Sequence, residues 1–181
     1  MSNKIKYGET YESLAQNIQP YLDNNPVNRQ TFNPSIYPIW WDSDITIFNK
    51  YEHPQTQLVT WHKHTLSNCF VQTAKSMLSA GQITYDTSNI IVRIPQNDNY
   101  KDYGEWINIP NTEQGNYFTL HQGDIIIKGN IEDIIDEYTN GIRSTDLISK
   151  YKNIGVCFTI DRWQDNTGTG RGTPHYFASG E

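Results

Sequence analysis

Gln122 to Ile131 reads QGDIIIKGNI, and this stretch decides the fold. Three consecutive isoleucines, Ile125 to Ile127, are entered through Gly123-Asp124 and left through Gly129-Asn130. β-Branched side chains suit a pleated surface, whereas Gly and Asn supply the backbone angles that reverse a chain; the stretch predicts a short strand between two turns. Two other runs share its character. Upstream, Asn89 to Pro95 (NIIVRIP) is β-branched, closes on a proline that cannot donate to a sheet ladder, and is the expected partner of the isoleucine strand. Downstream, Ile154 to Arg162 (IGVCFTIDR) alternates Val156, Phe158 and Ile160 with Cys157, Thr159 and Asp161. These three strands are expected to form the core of one mainly β domain, with the rest of the chain inserted into it or attached at its ends.

Composition bounds what such a domain can do. A chain of 181 residues fits one domain that buries roughly two thirds of its unfolded surface without cross-links. The two cysteines, Cys69 and Cys157, lie in apolar, strand-like text and read as small buried thiols in a reducing compartment. Twenty acidic residues against fourteen basic ones give a net charge of −6, and no run of Lys or Arg interrupts that balance. Binding to a phosphate backbone is thereby disfavoured. The N-terminus lacks the apolar core of a signal peptide and no window approaches the ~20 apolar residues of a membrane span, so a soluble, non-secreted protein is expected. Aromatic residues make up 13% of the chain, twelve of them Tyr, a residue type that serves interfaces as well as cores.

Residues 1–41 read as an N-terminal helix and an extended arm. Tyr11, Leu14, Ile18 and Tyr21 fall on one helical face, with Thr10 as cap and Pro20 as terminator. Asp23 to Pro38 is rich in Pro and Asn without periodicity and reads either as a mobile linker or as an arm ordered by docking on a neighbour; the arm is preferred because its end, Tyr37 to Trp41 (YPIWW), is too aromatic for a free linker. Residues 42–181 read as the β-domain. In Asp44 to Glu52 (DITIFNKYE), Ile45, Ile47 and Asn49 share one face and Thr46 and Phe48 the other. Leu58 to His64 and Cys69 to Gln72 predict short strands, Thr73 to Gly81 a polar link, and Gln82 to Asp86 a lead into the strand at Ile90. The loop 96–116 carries Tyr100, Tyr103 and Trp106 and exceeds an ordinary connection, as functional loops often do. A helical insertion is expected over 131–152. Its first helix would place Ile131, Ile134, Ile135 and Tyr138 on one face and end at Gly141; its second would be capped by Ser144-Thr145 and run to Tyr151. Two short helices thus interrupt the β-domain, which closes on Thr167 to Gly172 (TGTGRG) and a last strand at His175 to Phe177.

No constellation in this text predicts catalysis. His62 and His64 stand i, i+2 on one strand face, a spacing metals use, with His53, His121 or His175 as a possible third ligand. Two such histidines arise easily by chance, and solvent-facing positions are expected for them. The glycines of TGTGRG lack the following helix that a phosphate cradle requires, so they read as a hairpin tip. Carboxylate pairs such as Asp42 with Asp44, or Glu132 with Asp133, sit where strand edges and helix starts place them. No cofactor and no metal are expected. Trp40, Trp41, Trp61, Trp106 and Trp163 could form a sugar-stacking platform, which gives the alternative of a tail-tip or cell-surface glycan-binding module.

The order of the pieces resembles a known family. DITIFNKYE, TWHKHTLSNCFVQ, NIIVRIP, an aromatic loop, FTLHQGDIIIKGNI, RSTDLISKYK and FTIDRWQDN followed by PHYF are similar in pattern to the small neck proteins of tailed bacteriophages, the head–tail connector and head-closure proteins. The likeness spans Asp44 to Phe177, and its most specific pieces are VRIP, GDIIIKG and the turn from Asp161 to Asn166. It implies a small β-barrel or sandwich, with the two inserted helices, whose loops and terminal arm join copies into a homo-oligomeric ring. That ring would contact portal or adaptor proteins above and tail proteins below, let DNA pass through its lumen without specific binding, involve no membrane, and reside in the virion neck after assembly in the host cytoplasm. Tyr37, Trp40, Trp41, Tyr100, Tyr103, Trp106 and Arg171 are the residues expected at its interfaces. An acidic lumen would repel DNA and let it slide. The arm before Trp40 is longer than a minimal head-closure protein would have, which leaves closure protein, adaptor and tail terminator all open.

Overall fold

The computed structural model describes residues 37–181 apart from 81–82, 140 and 169–171, with 74–88 described through their backbone alone. The helix expected over Thr10 to Tyr21, the arm before Tyr37, and Arg171 lie outside the described residues. Six antiparallel strands close into a barrel: β1 (Ser43–Glu52), β2 (Val59–Ala80), β3 (Ile83–Pro95), β4 (Ile125–Lys128), β5 (Cys157–Asp165) and β6 (His175–Gly180). Their order around the barrel is β1-β2-β3-β6-β5-β4. The mainly β class is as expected, and of the two architectures the sequence allows, the chain adopts the barrel.

The isoleucine strand β4 does not pair with β3. Its partners are β1, with Phe48 opposite Ile125 and Ile45 opposite Lys128, and β5, with Ile126 opposite Phe158. Ile126 joins Ile45, Ile47, Val92, Ile94, Phe158, Ile160 and Tyr176 inside the barrel. Ile125 and Ile127 point outward, where Phe48, Ile131, Ile135, Leu147 and Cys157 cover them. A strand buried on both faces reads as a continuous apolar run, and such a run carries no mark of which neighbour it will meet.

Strand β2 is the second departure. Instead of two short strands and a polar link, Val59–Ala80 runs unbroken; Val59 to Cys69 ladder with β1 and Phe70 to Ala80 with β3. Asn68, with φ 59°, marks the change of partner, a conformation Asn adopts more readily than most residues. β5 likewise moves from β4 to β6, with a register shift between Ile160 and Arg162. β2 and β5 are therefore the corners at which two sheets become one closed barrel. Beyond Asn89, β2 and β3 continue as a two-stranded ribbon, held by its own ladder from Ala74 opposite Asn89 to Ala80 opposite Ile83. Backbone pairing, not apolar alternation, makes a strand where a polar link is expected.

The third departure is the insertion. Residues 131–139 form no helix and cross the outside of β1 and β4 as an irregular strap. Thr46 ties its start down: its hydroxyl donates to the Gly129 carbonyl at 2.7 Å and accepts the Ile131 N–H at 3.0 Å. Asp136 N–H then bonds the Ile142 carbonyl. The Asp136 N–H, which in a helix would bond the carbonyl one turn back, is taken by Ile142 instead, and Ile131 and Ile135 are buried while Ile134 and Tyr138 turn to solvent. The expected second helix does form, over Ser144–Ile154, with Leu147 as its buried anchor. Its N-cap is Arg143 and no side chain caps it, so Ser144-Thr145 are first-turn residues and not caps. Two single-turn helices, α1 (Tyr103–Trp106) and α2 (Asn111–Gln114), lie in the long loop, making Ser144–Ile154 α3.

Candidate functional site

The long loop joins β3 to β4, which are not neighbours in the barrel. Its path therefore crosses the barrel mouth, and its side chains show how. Trp106 is completely buried, meets the ring of His62 edge-on at 5.5 Å, and donates Nε1–H to the Tyr117 carbonyl at 2.9 Å. Phe118 and Leu120 belong to the interior cluster. Tyr100 stacks on Tyr176 at 3.9 Å, and Tyr103 on His121 at 3.7 Å. The loop is a plug, and Trp106 is a core residue with no surface to offer a partner, which corrects its expected place at an interface.

A buried polar clasp locks the plug. Asn49 Nδ2 donates to the Thr119 carbonyl and to Asp124 Oδ2, both at 2.8 Å, and its Oδ1 accepts the Thr119 N–H at 3.2 Å. Asp124 also accepts the backbone N–H groups of Lys50 at 2.8 Å and His121 at 2.9 Å. Burial pushes the Asp124 carboxyl up to about 7 against these donors, which pull it down. The signal in the sequence is Asn49, a polar residue on the same strand face as Ile45 and Ile47; Asp124 instead reads as a turn residue.

His62 and His64 do share a strand face, and it is the inner one: they pair across the ladder with Asn49 and Ile47. Solvent-facing positions are thus corrected to half-buried ones against the plug. Burial holds both imidazoles below their ordinary range, His64 at about 4, with His62 beside it adding to the effect. Neither ring gains a third ligand. His53 accepts the Gln55 and Thr56 N–H groups, His121 stacks on Tyr103, and His175 lies 5.8 Å from Trp41 on the far side of the barrel. Among the described residues no group of three or more His, Cys, Asp or Glu side chains could hold a metal ion. Both cysteines are unpaired and buried, and burial pushes the Cys157 thiol up to about 11.

The arm's end is split between core and surface. Trp41 is buried on the outside of β2 and β6, 6.3 Å from Phe70 and edge-on to His175, and Tyr37 accepts the Gln96 N–H at 3.0 Å. Ile39 and Trp40 remain 81% and 63% exposed. A second apolar area surrounds the strap, where Ile134 is 69% and Tyr138 57% exposed and Leu58 is half-exposed. Between strap, α3 and the outer face of β1, β2 and β4 lies an open cleft of about 330 Å³. Among the described residues no helix is long and apolar enough to cross a membrane.

Residues 40–181 match a protein family described as a family of unknown function, DUF6751. No curated protein and no solved structure matches the chain.

Proposed function

The chain belongs to the DUF6751 family, whose function is unknown, and from that premise we propose that it is a non-enzymatic structural subunit, a ring-forming protein of a tailed-phage neck that joins head to tail. One observation carries this reading: the barrel spends its own aromatic loop on filling its mouth, while large apolar side chains stay uncovered on its outside, Ile39 and Trp40 on one face and Leu58, Ile134 and Tyr138 on another. Apolar side chains grouped in this way mark sites of protein contact. Two different patches on one subunit allow a heterologous contact, and a heterologous contact that closes generates a ring. The resemblance of the ordered strand motifs to neck proteins supplies the neck itself, with portal or adaptor proteins and tail proteins as partners and the net charge of −6 suited to a lumen that DNA passes without sticking.

Two measurements test the proposal. The mass of the purified chain in solution should exceed that of one copy and correspond to a closed ring. Gold labelling of phage particles that carry it should mark the head–tail junction; label confined to fibre tips or baseplate would overturn the neck assignment.

A further inference from the structure

Building on the ring reading, we propose that the cleft under the strap is the socket that receives Trp40, with Ile39 beside it, from the next copy of this chain. The two features lie on opposite exteriors of the barrel. Trp40 follows the arm over β2 and β6, where its neighbour Trp41 packs on Phe70 and His175. The cleft lies against the outward side of the β1-β4 half, lined by Lys50, Val59, Trp61, Ile125, Tyr138 and Ile148. A barrel cannot bring its own Trp40 to that cleft, but a neighbour related by rotation can.

The chemistry of the cleft fits an indole. Trp61, Ile125 and Ile148 give it an apolar floor, and Trp61 and Ile148 pack against the outer core that anchors the strap. Glu137 accepts the Trp61 Nε1–H at 3.0 Å, which fixes the floor ring, and a carboxylate has acceptor sites for more than one donor. Glu137 and Ser144 both line the cleft and supply acceptor oxygens for an incoming indole N–H. The rim residue Tyr138 is held in place by the Val59 N–H, which bonds its hydroxyl at 2.7 Å. The socket is preformed and the knob is already exposed, so little ordering opposes the contact.

The test uses the full chain and two variants. Trp40→Ala removes the knob; Ser144→Arg blocks the socket from the first turn of α3. Each alone should weaken self-association at least about tenfold, as loss of an interface hot spot does, without moving the melting temperature. Mixed together, they should form a one-to-one dimer and nothing larger, because only the intact knob of one and the intact socket of the other can meet. A symmetric contact through Trp40 would leave Ser144→Arg assembling like the unaltered chain and would overturn the socket. If the chain oligomerises and both variants do so equally well, the socket is wrong while the ring reading stands. A chain monomeric at every concentration sinks both.

Discussion

Asn49 reaches across 75 positions of sequence to place its amide nitrogen 2.8 Å from Asp124 Oδ2. The same side chain both donates to and accepts from the Thr119 backbone, so one residue of β1 fixes the end of the plug and the start of β4 together. Removing one partner of a buried pair leaves the other desolvated and unsatisfied, a loss larger than the bond itself is worth. Asn49→Leu should destabilise the fold by about 2–4 kcal/mol, read as a lower denaturant midpoint. A loss within the range of a surface substitution would show that the clasp does not hold the plug.

Asp124 gives the clasp a pH dependence of definite sign. Its folded pKa, raised to about 7 by burial, lies above the unfolded carboxylate value of about 4. Its contribution to stability is therefore complete below that unfolded value and is lost as pH rises through about 7. Melting curves of the unaltered chain minus those of Asp124→Asn should fall between pH 4 and 8. Parallel curves would mean that the carboxyl titrates as it does in the unfolded chain.

His64 acts in the opposite direction. Burial against the plug holds it at about 4, below its unfolded value of about 6.5. Its contribution is complete above about 6.5 and is lost as pH falls toward 4, because the unfolded chain takes up the proton first. His64→Gln should flatten that acid limb. An acid limb unchanged by the substitution would place the proton uptake elsewhere.

Two tryptophans in adjoining aromatic text should behave differently. Trp106, buried in the mouth beside His62, should cost about 3–5 kcal/mol when replaced by Ala. Trp40, exposed on the arm, should change folding stability by no more than about 0.5 kcal/mol. Equilibrium unfolding of both variants checks the contrast, and equal losses would refute the assignment of one to the core and the other to the surface.

Gly180 is the last residue of β6 and pairs with Ile160 of β5. A Cβ there would overlap the Thr159 carbonyl oxygen and sit 2.7 Å from Phe158 Cδ2, because β6 presses against β5 at the seam of the barrel. Gly180→Ala should cost about 2–3 kcal/mol through that clash. Gly104→Ala, in α1 with nothing within 4 Å, should be neutral or stabilising by up to about 1 kcal/mol. Thermal melts of the pair that came out in the reverse order would contradict the packing at the seam.

Local chemistry alone determined much of this protein. β-Branched runs at Ile45, Ile90, Ile125 and Phe158 made it mainly β, the alternation from Asp44 to Asn49 assigned two faces correctly, and the pattern after Arg143 predicted α3. These are properties of a few adjacent residues, so they can be read from a few adjacent residues. The tertiary structure decided what depends on distant neighbours: that β4 pairs with β1, that the strap lies across β1 with its start tied to Thr46 and forms no helix, that the aromatic loop turns inward, and that Asn49 meets Asp124. In each case burial and backbone pairing with residues tens of positions away outweighed a local preference worth only tenths of a kcal/mol per residue, and no window of sequence contains both partners.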